Sequence, residues 1–234
     1  MKRITYIIFA AVLTVATTLK ASAQSEESRQ VSGFTSIGSG GPFDVHVKID
    51  GTESLKIKAS SDAIKEIETK VEDGGLQIKF KHRNNYDHEN YGKIDIYVTA
   101  KSLSALANAG SGSIKVEGTV SGDKVSISLS GSGSISSAVK AGDFHTAISG
   151  SGSIALSGSA DDTKVVISGS GDLDGRHFKT NTASVTIAGS GNAHFGADKS
   201  ISARIVGSGN VVYSGNATIS DSRTVGSGRL SKEN

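Results

Sequence analysis

A short polar stretch, residues 81–91, combines several side chains that could do chemistry. It contains two histidines, His82 and His88, together with the carboxylates of Asp87 and Glu89. Imidazole and carboxylate groups at such short spacing are groups that a zinc ion can use as ligands. The stretch lies between two strand-like apolar segments, however, and such connections are normally exposed polar loops. We therefore predict a long hairpin loop here, with no metal centre and no cofactor.

The same loop contains the aromatic residues that are best suited to contact a ligand. Tyr86 and Tyr91 lie on either side of His88. Because tyrosine combines an apolar ring with a polar hydroxyl, it suits contacts with a glycan or with a protein surface. Binding residues also occur disproportionately on exposed loops. We predict that Tyr86, His88 and Tyr91 form the ligand contact if the protein has a discrete contact patch.

A second acidic group, Asp172 and Asp174 followed by Gly175, resembles part of a calcium-binding loop. The further oxygen ligands and the closing glutamate of such a loop are missing. Alternate residues of a strand lie on one face, so both carboxylates should point outward on either side of Leu173. We predict a solvated surface at this position and no bound metal.

Carboxylates that could cleave a polysaccharide are not paired in the sequence. Glycoside hydrolysis requires two carboxyl groups on either side of the scissile bond. The acidic residues Asp123, Asp143, Asp161 and Asp162 are instead scattered through polar segments. The chain has no cysteine, and its repeated serines have no partner histidine to activate them. We predict a non-enzymatic protein and keep a carbohydrate-active β-helix enzyme as the least favoured alternative.

The tripeptide Gly-Ser-Gly occurs seven times between residues 110 and 228, at intervals of 18 to 21 residues. No copy extends into a P-loop or a dinucleotide-binding motif. Copies at a nearly fixed period indicate one structural unit that is repeated and stacked. We predict that the glycines occupy corners that require a positive φ or a close backbone approach. These glycines are Gly110, Gly112, Gly131, Gly133, Gly150, Gly152, Gly169, Gly171, Gly189, Gly191, Gly207, Gly209, Gly226 and Gly228.

Each repeat has the period-two pattern of a half-buried strand on both sides of its glycines. Val125, Ile127 and Leu129 alternate with serines before Gly131, and the alternation resumes after Gly133. A unit of about 20 residues cannot bury its apolar face alone, but stacked units can. The sequence therefore predicts an all-β fold, a right-handed parallel β-helix or β-solenoid with coils of about 20 residues. A flexible Gly/Ser linker and an antiparallel sandwich are the less favoured alternatives.

Two details of the repeat are also predicted. Polar turns should separate the strands within each unit, at residues 120–124, 141–143, 160–162 and 181–182. The central serines of the Gly-Ser-Gly copies should stack into a polar ladder that shares hydrogen bonds between coils.

Residues 31–100 differ from the repeats and contain one relative of the corner motif, at residues 38–40. Turn signals at 50–51 and 73–75 predict two β-hairpins. Ser and Asp at 61–62 resemble the N-cap of one short helix. Open strand edges invite aggregation, so we expect this segment to cover or extend the first coil. Residues 24–234 should form one solenoid domain, with residues 31–100 as its N-terminal part and residues 101–234 as its repeat coils.

The first 23 residues have the features of a cleaved signal peptide. Lys2 and Arg3 precede an apolar run at residues 4–19, and Ala-Ser-Ala at 21–23 resembles a cleavage site. Loss of this segment, which also contains Lys20, leaves 22 basic and 23 acidic residues, a net charge of −1. The mature chain has no basic run and no further apolar stretch, so we predict neither nucleic-acid binding nor a transmembrane segment. We expect an exported protein located in the periplasm, on the outer-membrane surface or in the medium.

The order of these features resembles that of a known family. A signal peptide, a hairpin segment reading Asp-Gly-Gly-Leu-Gln-Ile at residues 73–78, and Gly-Ser-Gly repeats are similar to the family "putative auto-transporter adhesin, head GIN domain". The resemblance covers about residues 31–230. It implies a β-helical extracytoplasmic protein of Bacteroidetes-type envelopes with an adhesin-like function, and it supplies no catalytic residues.

These features together predict an exported, non-enzymatic cell-envelope protein with an adhesin-like binding role or a structural role. Its partner would be a glycan or an envelope protein. The main alternative is an envelope scaffold that binds another protein or itself, through an uncapped C-terminal coil near residues 226–230. The sequence leaves the oligomeric state open.

Overall fold

The computed structural model describes residues 24–81 and 91–233. The chain forms parallel coils stacked about 19 residues apart, a β-solenoid of about 7 turns. In the described part of the chain, a single short helix interrupts the strands. The predicted fold class is therefore confirmed. Among the described residues, no helix is long and apolar enough to span a membrane.

The five long strands of the repeat part run from one Gly-Ser-Gly copy to the next, whereas the strands of the N-terminal part and of the last coil are shorter. The N-terminal part contains β1 (Ser25–Arg29), β2 (Ser36–Gly40), β3 (Asp44–Ile49), β4 (Ser54–Ala59), α1 (Ser61–Glu66), β5 (Ile67–Glu72), β6 (Gly75–Phe80), β7 (Asp95–Ala100) and β8 (Ala105–Gly110). The repeat part contains β9 (Ser113–Gly131), β10 (Ser134–Gly150), β11 (Ser153–Gly169), β12 (Asp172–Gly189), β13 (Asn192–Gly207), β14 (Asn210–Ser214), β15 (Thr218–Gly226) and β16 (Arg229–Lys232).

Strands β9 to β13 pair in parallel, each with the next along the chain. The register aligns Gly131 with Gly150, and Gly150 with Gly169. Pairing also continues through residues 141–143 and 160–162, where polar turns were predicted. That prediction is wrong, because these residues belong to β10 and β11 and pair in register between the coils. The pairing of β9 with β10 is irregular at a different place, between Ser136 and Ala138.

The core is a narrow column of apolar side chains that point into the coils. Alternation turns every second side chain of a strand inward. The parallel register then stacks each of these side chains on its equivalent in the next coil. The aliphatic side chains of one such column are all buried, and they are Leu129, Ile148, Ile167, Ile187 and Ile205. The rings of Phe144 and Phe178 also meet in this interior, with centroids 5.3 Å apart.

The Gly-Ser-Gly corners bring the backbones of successive coils very close together. A Cβ built on Gly152 would lie 2.4 Å from the carbonyl oxygen of Gly133. Gly169 adopts a φ of 115°, which L side chains rarely tolerate. The serine between the glycines donates its backbone N–H across the coils, as Ser170 does to the Gly150 oxygen at 2.9 Å. The hydrogen bonds that join these corners therefore come from the backbone and not from the hydroxyl ladder that we expected.

The N-terminal strands do not stack in chain order. β2 pairs with β8 on one edge and with β6 on the other, while β3 pairs with β9 and β7. After β1 the chain enters the stack through β2 and β3, leaves it through β4, α1 and β5, and returns through β6 and β7. The antiparallel strands β1, β4 and β5 lie on the outer side of this first coil, in agreement with a covering role.

The hairpin and helix predictions for this segment have mixed outcomes. The hairpin at 73–75 is confirmed, since β5 and β6 pair around Asp73 and Gly74, both at positive φ. The short helix is also confirmed, although its N-cap is Ser60 rather than Ser61. The hairpin at 50–51 is wrong, because β7 lies between β3 and β4.

The corner assigned to residues 38–40 is also wrong. Those residues lie within β2, which pairs along both of its edges. The first corner is formed instead by residues 41–43, because Gly112 N donates to the Gly41 oxygen at 3.2 Å and Ser113 N donates to the Phe43 oxygen at 2.9 Å. Because this corner has the sequence Gly-Pro-Phe, the sequence alone does not show that it is equivalent to the Gly-Ser-Gly corners.

Candidate ligand-binding surface

Of the three loop residues predicted to contact a ligand, Tyr86 and His88 lie outside the described residues. Tyr91 is described and is half-buried. Its ring stacks on Phe80 with a centroid distance of 5.6 Å, and Phe80 in turn contacts Phe43 at 4.9 Å. Tyr91 therefore packs against the core at the end of the loop.

A different tyrosine, Tyr97, lies exposed on the outer face of the first coils. Alternation in β7 turns Ile96 and Val98 into the core, and Tyr97 therefore points outward with 42% of its surface exposed. The parallel register of β3 and β7 places His46 directly beside it. The two rings are stacked at 4.9 Å, with 19° between their planes. We call this pair the Tyr97–His46 platform.

Two lysines extend the platform into a row of four residues across four strands. Lys56 on β4 is the register partner of Tyr97, and Lys115 on β9 is the partner of His46. Both lysines are exposed. Lys56 also lies 3.7 Å from the carboxylate of Glu26. Tyr97 and His46 line a shallow depression whose charged borders include Lys56, Glu26 and Glu117.

A carboxylate in the adjacent row holds the histidine ring in position. Asp95 Oδ1 lies 3.0 Å from His46 Nε2 and 2.8 Å from Lys93 Nζ. Burial of Asp95 raises its pKa, but the hydrogen bonds from Lys93 and His46 outweigh this effect and keep the pKa below its ordinary value. Asp95 therefore stays ionised at neutral pH and fixes the ring of His46 against that of Tyr97.

The acidic residues that resembled a calcium loop form an outer polar surface, as the alternation predicted. Asp172 and Asp174 are exposed and Leu173 between them is buried. Asp172 Oδ1 accepts a hydrogen bond from Asn192 Nδ2 at 2.9 Å, and Asn192 Oδ1 accepts one from Asn210 Nδ2 at 3.1 Å. The carboxylate thus ends an amide ladder between coils. Over residues 24–81 and 91–233, no three His, Asp or Glu side chains cluster closely enough to hold a metal ion.

Asp174 gives a prediction about pH. Hydrogen bonds from the Arg176 side chain lower the pKa of the Asp174 carboxyl group from 3.8 to about 2. Because the pKa is lowered in the folded state, the pair stabilises the protein above pH 3.8 and loses this contribution as the pH falls toward 2. In Arg176→Gln the pKa should return toward 3.8, as measured by carboxyl ¹³C NMR. Arg204→Gln, at an exposed arginine of β13, should leave it unchanged. An Asp174 pKa that is the same in Arg176→Gln and in the wild type would contradict this assignment.

The sequence did not single out Tyr97 as a contact residue, for a structural reason. Its neighbours Ile96 and Val98 mark an ordinary strand, and the residue becomes part of a platform only through His46. The turn signal at 50–51 suggested β4 as the partner of β3, but the partner is β7. The available signal was the outward position of a large ring in an alternating strand.

The fold and this surface define a β-solenoid with an exposed aromatic platform on its first coils. The sequence matches the family model "Putative auto-transporter adhesin, head GIN domain" over residues 33–217, and the chain belongs to this family. No curated protein matched the sequence.

Solved structures from Bacteroidetes share the fold. A putative adhesin from Bacteroides fragilis is 22% identical with a TM-score of 0.79, covering 90% of this chain and 97% of its own. A putative lipid binding protein from Parabacteroides distasonis is 23% identical with a TM-score of 0.71 and the same coverage of both chains. A putative adhesin from Parabacteroides merdae is 19% identical with a TM-score of 0.69, covering 90% of this chain and 96% of its own. At these identities the likeness establishes the fold.

Proposed function

We propose that this protein is an exported, non-enzymatic, adhesin-like protein of the cell envelope that binds a glycan through the Tyr97–His46 platform. The observation that carries this proposal is the exposure of Tyr97. Of the phenylalanines and tyrosines in the described part of the chain, the others are buried or half-buried, and Tyr97 alone is exposed. An exposed ring that is stacked and held in place is a feature of binding surfaces.

The chemistry of the platform suits a sugar ring. A pyranose has an apolar face of C–H groups, which can cover an aromatic ring, and a rim of hydroxyl groups. The ammonium groups of Lys56 and Lys115 can donate hydrogen bonds to that rim, and nearby carboxylates such as Glu117 can accept them.

The rigidity of the platform also favours binding. Tyr97 and His46 lie on neighbouring paired strands and not on a loop. The contact of His46 with Asp95 further restricts the ring. Groups that are ordered before binding lose less conformational entropy when a ligand arrives. The adhesin descriptions of the family and of two similar structures support an exported binding role.

Tyr97→Ala should weaken binding to a recognised saccharide by about tenfold or more, because it removes the aromatic floor. The affinity would be measured by isothermal titration of envelope oligosaccharides into residues 24–234. Tyr97→Phe keeps the ring and should retain most of the affinity. His145→Ala, at an exposed histidine on β10, should have no effect. Wild-type affinity in Tyr97→Ala would refute the platform as the binding site.

The loop residues predicted from the sequence remain a competing location for the contact. If Tyr86 and Tyr91 contact the ligand, changing both to Ala should weaken binding while Tyr97→Ala does not. Because Tyr91 stacks on Phe80, the double variant needs a check of its melting temperature against the wild type. The comparison of the two variants separates the two sites.

A second candidate function is an envelope scaffold that binds another protein or itself. One observation supports it: the C-terminal coil presents a strand, β15, whose residues are all exposed.

A further inference from the structure

We propose that β15 is a self-association site, through which two copies of this chain pair edge to edge in antiparallel orientation around Ser222. This would join two solenoids end to end with two-fold symmetry. The inference does not depend on glycan binding at the Tyr97–His46 platform, which lies on the coils at the opposite end of the stack.

β15 has one open edge. It pairs in parallel with β13, and in the described part of the chain no strand pairs with its other edge. All nine of its residues are exposed. An open edge presents unpaired backbone N–H and C=O groups, which form a template for another strand. At the N-terminal end of the stack the parallel strands are covered by antiparallel ones, of which β1 and β5 also pair along one edge only among the described residues.

From β9 onward, one outward-facing column changes from serine to apolar residues toward this end of the solenoid. Register stacks one outward-facing position through six successive coils. The residue there is serine in three coils, then alanine, then valine twice, and these are Ser130, Ser149, Ser168, Ala188, Val206 and Val225. Val206 is 50% exposed and Val225 is 68% exposed. This change places apolar area where a second copy would cover it.

The sequence of β15 is self-complementary when read in antiparallel order. With Ser222 on the two-fold axis, Asp221 of each copy lies opposite Arg223 of the other. Opposite charges are favourable as cross-strand neighbours.

The charge pattern also selects the orientation. Asp221 and Arg223 occupy outward positions above Ser202 and Arg204, at 3.5 Å from each other. A two-fold axis perpendicular to the sheet keeps outward side chains outward in both copies. An in-register parallel pairing would instead place aspartate on aspartate and arginine on arginine, which is unfavourable. The structure thus favours a closed pair of two copies over a continuing stack.

The test is sedimentation velocity of residues 24–234 over a range of concentrations. The wild type should show a monomer–dimer equilibrium. Asp221→Arg alone and Arg223→Asp alone place like charges opposite each other twice in each dimer, and each should weaken dimerisation by about tenfold or more. Asp123→Arg, an equivalent charge change at an exposed position of β9, should leave the equilibrium unchanged.

Mixing the two single variants gives the sharpest result. Positions 221 and 223 are both positive in the Asp221→Arg variant and both negative in the Arg223→Asp variant. In a mixed dimer opposite charges therefore face each other at both places, and a heterodimer should form at wild-type affinity. Circular dichroism spectra and melting temperatures would verify that each variant is folded. A wild type that stays monomeric at millimolar concentration would overturn the proposal. So would a dimer that both single variants preserve, or a mixture that fails to associate.

Discussion

Gly169→Ala is expected to lower the free energy of unfolding by about 3 kcal/mol, one of the two largest effects that the structure predicts. The residue has a φ of 115°, where an alanine is strained. The new Cβ would also lie 2.5 Å from the carbonyl oxygen of Gly150 in the preceding coil. Because that oxygen belongs to the backbone, relief of the clash requires the coils to separate.

The adjacent serine provides the matched control. Ser170 is exposed, and the hydrogen bond that it makes to the Gly150 oxygen comes from its backbone N–H. Ser170→Ala keeps that bond and should change the stability by less than about 0.5 kcal/mol. Urea unfolding followed by far-ultraviolet circular dichroism would compare the two variants. Equal midpoints for Gly169→Ala and the wild type would contradict the corner geometry.

Removal of the N-terminal segment should have an even larger effect, since a fragment of residues 101–234 is expected to aggregate. In the intact chain β8 pairs with β2 and β9 pairs with β3. Loss of these partners opens two strand edges and uncovers the buried side chains of Leu106 and Ile114. Open apolar edges lead to intermolecular pairing.

The fragment would be compared with residues 24–234, expressed and purified in the same way. Sedimentation and size-exclusion chromatography would measure the soluble fraction of each. A soluble, monomeric fragment with a β-strand circular dichroism spectrum would show that the repeats fold without the first coils. The same result would contradict the proposal that residues 31–100 cover the first coil.

The repeat part could be predicted well because its register follows directly from its period. In a parallel stack the partner of each residue is its equivalent one repeat away, as Gly131 is for Gly150. The alternation of Val125, Ile127 and Leu129 then determines which side chains enter the core. In the repeat part, the local sequence pattern therefore predicts both the strand pairing and the buried side chains.

The N-terminal part could not be predicted in this way, because its strands pair out of chain order. Gly51 does adopt a positive φ of 87°, so the turn signal was correct as a statement about the local backbone. A turn does not determine which strand lies next to β3, and β7 takes that place from about 50 residues away. The Tyr97–His46 platform exists only because of this pairing.

An array of glycans and envelope polymers would show whether Tyr97 and His46 form a binding surface. Residues 24–234 and the Tyr97→Ala variant would be applied side by side, with and without calcium, and the release of reducing ends would be assayed on the same polymers. We expect saturable binding by the wild type, loss of that binding in the variant, and no released product. Binding that the variant retains, or cleavage of a bound polymer, would contradict this expectation.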